Sequence, residues 1–334
     1  MGKPSFGVEL HQYHDARTVL EEAQLAERLG YDSVWFGDSQ LIWRELYVLL
    51  GAAAATTSRI RLGTGVTNPV TRHPTVTASA IATAQELTGG RAILGIGVGD
   101  TALKSMGMTA TSRAALASYV QTVRALCRSE TVRAPTGEMR LAYASAATDP
   151  PIVIGASGPK MLRLAGEIGD GVIVTRQARA GQTLAAMMGC VAAGRAAAGR
   201  ADRPFMTCVS ASVAVHPDRE KALLAVRSHV ASTLRHVHWE LSEPARRAAA
   251  ALQTAYDIYE HMSPTAQHAA LIPPEVITEY AIAGAPEECI AQARGLFEAG
   301  ADEITIRPYA VEGGTRAATI EAFASLVMAR LLKA

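Results

Sequence analysis

The chain has 334 residues, 49% of them apolar, which is enough to bury a large core and fits either one large α/β barrel or two smaller domains. Its 32 basic and 31 acidic side chains leave a formal charge of +1 with no run of like charge, which speaks against a nucleic-acid footprint and against a polybasic membrane patch. The expected partner is a small molecule.

A first strand is expected near residues 5–10. Residues 15–30, "DARTVLEEAQLAERLG", then open with Asp15 as a cap, place Val19, Ala23, Ala26 and Leu29 at helical spacing, and stop at Gly30. The following "YDSVWFGD" reads as a strand over 32–37. Further strands are expected near 60–66, 91–98, 152–155, 171–174, 205–215 and 302–307, and the helix, glycine, strand phrase returns at 161–175 and 293–308. Short apolar strands alternating with helices imply a parallel sheet buried on both faces. About eight such strands is the number that closes a (β/α)8 TIM barrel, and an open doubly wound sheet is the alternative. Residues 129–151 look like a loop or a small hairpin insertion, and 216–286 like an extended helical excursion. No linker marks a second domain. The apolar helix at 115–126 fits packing on its own barrel or on a partner subunit.

In a barrel the chemistry belongs at the C-terminal strand ends. Those ends carry Glu9, Asp38, the stretch from Gly65 to His73, Gly97 to Asp100, Ser157 to Pro159, and Thr175 with Arg176. One such loop needs no more explanation than a turned corner, but six together point to a site. "LGIGVGD" is not a dinucleotide fingerprint, because Gly95, Gly97 and Gly99 alternate along a strand instead of opening a helix. A bare stripe of this kind admits a flat ring or another backbone. In "GASGPKMLRLAGE", Pro159 suits a first helical turn, so free N–H groups there could face a phosphate; Ser157 fits equally well as a simple helix cap.

His236 and His238, at i and i+2 beside Trp239, do not share a helix face and make a poor metal pair. His11 and His14 read as pocket or surface residues. Cys127, Cys190, Cys208 and Cys289 have no paired spacing and read as buried thiols of a reducing compartment. With neither a leader pattern nor a membrane-length apolar run, a soluble cytoplasmic protein is expected. Neither a metal nor a nucleophile motif appears, so an organic cofactor is the economical source of reactivity.

Four segments, "WFGDSQLIWRELY", "RIRLGTGVTNPVTRHP", "GGRAILGIGVGD" and "PPIVIGASGPKMLRLAGEIGDGVIV", together resemble the bacterial-luciferase-like superfamily. The resemblance is to the branch around methylenetetrahydromethanopterin reductase, which uses coenzyme F420, a 5-deazaflavin. It implies a (β/α)8 barrel, usually a homodimer, with the ring at the C-terminal mouth. It further implies a bulge after the third strand, with a non-prolyl cis peptide between Gly65 and Val66 that backs the ring. By the same resemblance Asp38 lies near the polar end of the ring, as both a catalytic and a cofactor-binding candidate. Thr67 and Asn68 line the bulge, and Gly99 and Asp100 line the loop after the fourth strand. Ser157, Gly158 and Pro159 take the cofactor phosphate, with Thr175 close by, while Arg72 and His73 brace the bulge. Glu9 matches an acidic position that assists proton transfer, provided burial lifts its pKa toward neutrality. The neighbouring "ELHQYHD" departs from the reductases' usual sequence, so the resemblance does not carry the pterin substrate. The superfamily also contains FMN-dependent monooxygenases served by a partner flavin reductase, and flavin-binding proteins without catalysis. Both readings stay open at the level of sequence. A roof over the pocket from 216–286, through Trp239, Tyr256, Tyr259 and His261, competes with plain core packing.

Overall fold

In chain order the strands are β1 (Ser5–Leu10), β2 (Ser33–Phe36), β3 (Arg61–Thr64), β4 (Ala92–Ile96), the antiparallel pair β5 (Val132–Ala134) and β6 (Gly137–Met139), β7 (Ile152–Gly155), β8 (Gly171–Thr175), β9 (Met206–Val215), β10 (Ala281–Gly284) and β11 (Glu303–Pro308). The helices are α1 (Ala16–Leu29), α2 (Leu46–Thr56), α3 (Pro74–Thr88), α4 (Thr101–Ser105), α5 (Arg113–Cys127), α6 (Pro159–Ile168), α7 (Ala180–Ala197), α8 (Arg219–Leu234), α9 (Glu243–Ala255), α10 (Pro274–Tyr280), α11 (Pro286–Glu298) and α12 (Arg316–Phe323). These elements belong to a computed structural model that describes residues 4–145, 148–175, 180–235, 238–257 and 266–333.

Eight of the strands pair in parallel in the order β1, β2, β3, β4, β7, β8, β9, β11, and β11 pairs again with β1. The result is a closed (β/α)8 barrel, which decides against the open sheet. The eight strands expected from sequence are all present, and the loop at 129–151 contains the short pair β5–β6.

The local signals act as their chemistry requires. Asp15 caps α1 by accepting from the backbone N–H groups of Arg17 and Thr18, and Gly30 ends the helix at φ 84°. Val19, Ala23 and Ala26 of α1 are buried on the barrel. Helix α5 buries Leu116, Val120, Val123 and Leu126 within the main core of its own barrel. Inside the barrel, the Trp35 indole lies where a Cβ on Gly63 would come within 2.3 Å of it. Its Nε1 donates to the fully buried Glu303 at 3.0 Å, which also accepts from Ser33 at 2.7 Å and Arg61 at 2.8 Å. This polar plug occupies the interior below the mouth and leaves the C-terminal end open.

Three expectations change. Strand β3 stops at Thr64 and β4 at Ile96, each two residues early, because the chain leaves the ladder there as a bulge. Residues 281–284, expected within a helical excursion, form β10, paired with the last four residues of the overlong β9. "AIAG" is short and weak in β propensity, so tertiary pairing decides its state. Around it α8, α9 and α10 build a second apolar cluster with Val226, Val230, Leu252, Ile277 and Tyr280. Tyr256 packs against that cluster, so its role is core rather than roof. Arg176, His236, Tyr259 and His261 lie outside the described residues. No described helix is long and apolar enough to cross a membrane.

A methyl group added at Gly95 would sit 2.0 Å from the Thr64 carbonyl oxygen, whereas one at the exposed mid-helix Gly189 meets nothing within 4 Å. Gly95→Ala is expected to lower unfolding free energy by about 3 kcal/mol through overpacking. Gly189→Ala is expected to raise it by roughly 0.5–1 kcal/mol through helix propensity. Denaturant titration of both variants checks the pair.

Candidate active site

The bulge after β3 is built from substituted hydrogen bonds. The Thr64 hydroxyl donates to the Gly95 carbonyl at 2.6 Å and accepts from the Gly95 N–H at 2.8 Å, standing in for a missing rung of the ladder. The chain then turns out through Gly65–Val66, whose peptide bond is cis as the resemblance implies. It rejoins β4 two residues later, where Thr67 N–H donates to Gly95 and Gly97 N–H donates to Thr67, both at 2.9 Å. The Val66 side chain rests on bare backbone: Cβ atoms placed on Gly97 or Gly155 would each lie 3.2 Å from its Cγ2. Alternating glycines thus receive the bulge, and Val66 presents a shelf to the mouth.

Asp38 locks this shelf. Its oxygens accept from Thr67 Oγ1 at 2.7 Å, from Arg72 at 2.6 and 3.2 Å, and from Gln40 at 2.6 Å. Arg72 bridges on to Glu45 at 2.6 Å and lies 4.9 Å over the Tyr47 ring. Burial lowers the Arg72 pKa, but its hydrogen bond and charge pairing with Asp38 outweigh that and raise it. Arg72 therefore braces the bulge. Asp38 has its oxygens engaged by these donors and so fixes the geometry of the shelf. Asn68 accepts from the N–H groups of Val70 and Thr71 and pins the next turn. His73 caps α3 rather than bracing the bulge.

Around the shelf opens a cavity of about 820 Å³, within the range of small-molecule and cofactor sites. Glu9, Asp38, Gly65, Val66, Thr67, Asn68, Gly99, Asp100, Ser157 and Thr175 line it, while Gly158 and Pro159 lie beyond the lining residues. Gly99, at φ 90°, redirects the chain from β4 into α4, where Asp100 pairs with Lys104. Pro159 occupies the first turn of α6, as expected, but Gly158 is the N-cap and no side chain caps the helix. Ser157 is thus not a capping residue. Its carbonyl accepts from Trp239 Nε1 at 2.8 Å, and the His238 ring lies against Gly158. The excursion does reach the mouth, through these two residues and through Ala225, Ser228, His229 and Ser232 on one face of α8.

The far wall was not legible as a site. Arg307 of β11 grips Glu9 with Nη2 at 2.9 and 3.0 Å and Nε at 3.2 Å, and its Nη1 lies 2.6 Å from His229 Nε2. Ser210 in mid-β9 donates to Glu9 at 2.6 Å, and His11 Nε2 lies 2.9 Å from it. Burial pushes the Glu9 carboxyl up, but the Arg307 charge and the His11 hydrogen bond outweigh it and hold the pKa well below the carboxylate range. The condition attached to Glu9 as a general acid fails for this reason: its proton is already gone. His11 lines the cavity, whereas His14 is exposed. The signal for Arg307 was a second charge, beside Glu303, within the short strand "EITIRP".

The luciferase-like monooxygenase family model matches residues 3–303, and the chain belongs to that family. Among its relatives is the 5,10-methylenetetrahydromethanopterin reductase of Archaeoglobus fulgidus, 33% identical over 314 residues, covering 90% of this chain and 92% of the relative. The F420-dependent glucose-6-phosphate dehydrogenase of Beutenbergia cavernae is 32% identical over 229 residues, covering 64% and 68%. Among solved structures, the coenzyme F420-dependent tetrahydromethanopterin reductase of Methanopyrus kandleri superimposes with a TM-score of 0.84 at 25% identity, over 99% of this chain and all of that one.

Replacing Glu9 by Gln leaves the Arg307 guanidinium buried without its counter-charge, a loss of about 3–5 kcal/mol. A carboxylate with a depressed folded pKa stabilises the fold above its unfolded value near 4.5, and that contribution fades as pH falls below it. The stability gap between wild type and Glu9→Gln is therefore expected to be full at about pH 6 and to narrow toward about pH 3. Denaturant melts across that window measure it.

Proposed function

We propose that this protein is an oxidoreductase that transfers a hydride between coenzyme F420 and a small organic substrate held in the same cavity. The observation that carries this reading is the Val66 shelf on bare glycine backbone beside an open cavity of about 820 Å³. Side chains at Gly97 or Gly155 would crowd Val66 and tilt the shelf, so the residues present fit a flat tricyclic ring. The similarity to F420-dependent enzymes over most of the chain supports the same cofactor.

In this reading Gly65, Val66, Thr67 and Asn68 back the ring, and Gly99 and Asp100 flank it. Ser157, Gly158 and Pro159, with the free N–H groups at the start of α6, receive the phosphate, and Thr175 lies beside them. When bound, the deazaflavin supplies a ring carbon that gives or accepts a hydride. The protein's part is to present one face of that ring, orient the substrate against it and exclude water. Asp38 and Arg72 contribute by holding Thr67, and so the shelf, in one place. The resemblance implies a homodimer, and we place its face at the groove between α2 and α3, where Val76 and Leu87 are exposed. Val76→Glu on that groove is expected to give monomers in light scattering, and an unchanged mass would discard the interface.

Titrating the purified protein with oxidised F420 and, separately, with FMN tests the cofactor. The expected result is saturable quenching of F420 fluorescence at micromolar concentration, weakened at least tenfold in Gly155→Leu. Tight FMN binding with no response to F420, together with oxygen consumption in the presence of reduced flavin, would overturn the proposal in favour of a monooxygenase.

A further inference from the structure

The buried apolar side chains of α8, α9 and α10 keep to a cluster of their own, apart from the main core of the barrel. Among the described residues of 216–280, Trp239 is the one that packs against that main core. Its indole is half-buried there, and an indole N–H removed from water needs an acceptor. The acceptor it has is the Ser157 carbonyl, at 2.8 Å, in the loop between β7 and α6. The His238 ring, one residue earlier, lies 3.6 Å from where a Cβ on Gly158 would stand. Two successive residues of the excursion therefore grip two successive residues of this loop, across a separation of 82 residues between Ser157 and Trp239.

What the indole holds is the orientation of one peptide unit. The bond joining Ser157 to Gly158 is planar and trans, so its C=O and N–H point in opposite directions. Drawing the carbonyl toward Trp239 turns the Gly158 N–H to the other side of the loop. The chain on either flank is fixed by other means: the Ala156 N–H donates to Ile173 at 3.0 Å, and Pro159 locks its own φ in the first turn of α6. The peptide between them has no such anchor, and Gly158, without a Cβ, resists a flip less than any other residue. Among the described residues neither the Ser157 nor the Gly158 N–H donates to a protein group, and no side chain caps α6. A flipped peptide would put a carbonyl oxygen among these free N–H groups and repel an anion from the loop.

We propose that Trp239 is a positioning residue for the cofactor: it holds the Ser157–Gly158 peptide in the one orientation that leaves the loop open to the phosphate-bearing chain of the deazaflavin. The inference rests on the F420 reading above. Trp239 acts through Ser157 and not on the ring, whose shelf is built from β3, β4 and the Asp38 cluster on the opposite side of the mouth. The effect of the indole N–H is therefore confined to the part of the cofactor beyond the ring. Because α8, which lines the cavity through Ala225, Ser228 and Ser232, runs into this segment, the same contact ties the substrate wall to the cofactor loop.

The test uses the full chain, two ligands and two readouts. The ligands are F420 and the same deazaflavin truncated at its ribityl alcohol, which carries the ring without the phosphate. Trp239→Phe keeps the apolar packing and removes the N–H, and it is expected to weaken F420 about tenfold, as the loss of one orienting hydrogen bond would. Affinity for the truncated ligand is expected to change less than twofold, whereas a merely structural role would weaken both alike. The second readout is fluorine-19 NMR of the wild-type chain labelled with 5-fluorotryptophan, which has three tryptophans. Trp239 is told from the buried Trp35 by its solvent isotope shift and from Trp43 by the resonance lost in Trp43→Phe. Its resonance is expected to move on binding F420 and to stay in place with the truncated ligand; where Trp239→Phe does not fold, this readout decides alone. F420 affinity of Trp239→Phe within twofold of wild type, an equal loss for both ligands, or a Trp239 resonance that F420 leaves in place overturns the proposal while leaving the cofactor reading intact. Failure of the wild-type chain to bind F420 at all overturns both.

Discussion

The site depends on the absence of three methyl groups. A Cβ at Gly95 would collide with the Thr64 carbonyl, and Cβ atoms at Gly97 and Gly155 would press on Val66. Because those atoms are missing, β3 and β4 can part after two paired residues, with the Thr64 hydroxyl satisfying both polar groups of Gly95 that the parting exposes. Buried backbone groups left unpaired cost far more than the modest net gain of one hydrogen bond, so a bulge at this depth requires such a substitute. The shelf, the cavity in front of it and the way Asp38 reaches Thr67 all follow from that single departure from the ladder.

A second constraint is electrostatic. The mouth holds two buried carboxylates, and each is surrounded by donors: Asp38 by Thr67, Arg72 and Gln40, and Glu9 by Arg307, Ser210 and His11. Ionised groups at this depth are tolerable only when paired and hydrogen-bonded. Saturation has a cost in reactivity, since a carboxylate ringed by donors neither gives nor readily takes a proton.

Much of the barrel was legible because its signals are local. Helices capped by Asp15 and ended by Gly30, and strands of β-branched residues, repeat along the chain and reveal all eight barrel strands. The near wall was also legible, since glycines and Asn-Pro break regularity where the backbone departs from the ladder. The far wall was not. Ser210 sits inside a ten-residue strand and Arg307 inside "EITIRP", where ordinary alternation hides them, and their meeting with Glu9 spans separations of 201 and 298 residues. Strand β10 escaped for a related reason: four small residues take their conformation from a partner strand and not from themselves.

The two walls differ in what they can vary. The near wall is backbone: glycines, a cis peptide and a saturated aspartate, where nearly any larger side chain collides with its neighbour. The far wall is side chains on β9, β11 and α8, the last belonging to the long excursion between β9 and β11. Substitutions at Ala225, Ser228 or Ser232 change the shape and polarity of the cavity without touching the Thr64–Gly95 contact or the Asp38 cluster. A fold arranged this way separates holding a flat ring from choosing what reacts with it. Reading the substrate from such a chain therefore means reading α8 and the residues around Glu9, where this sequence carries His11 and Trp43 stacked face to face.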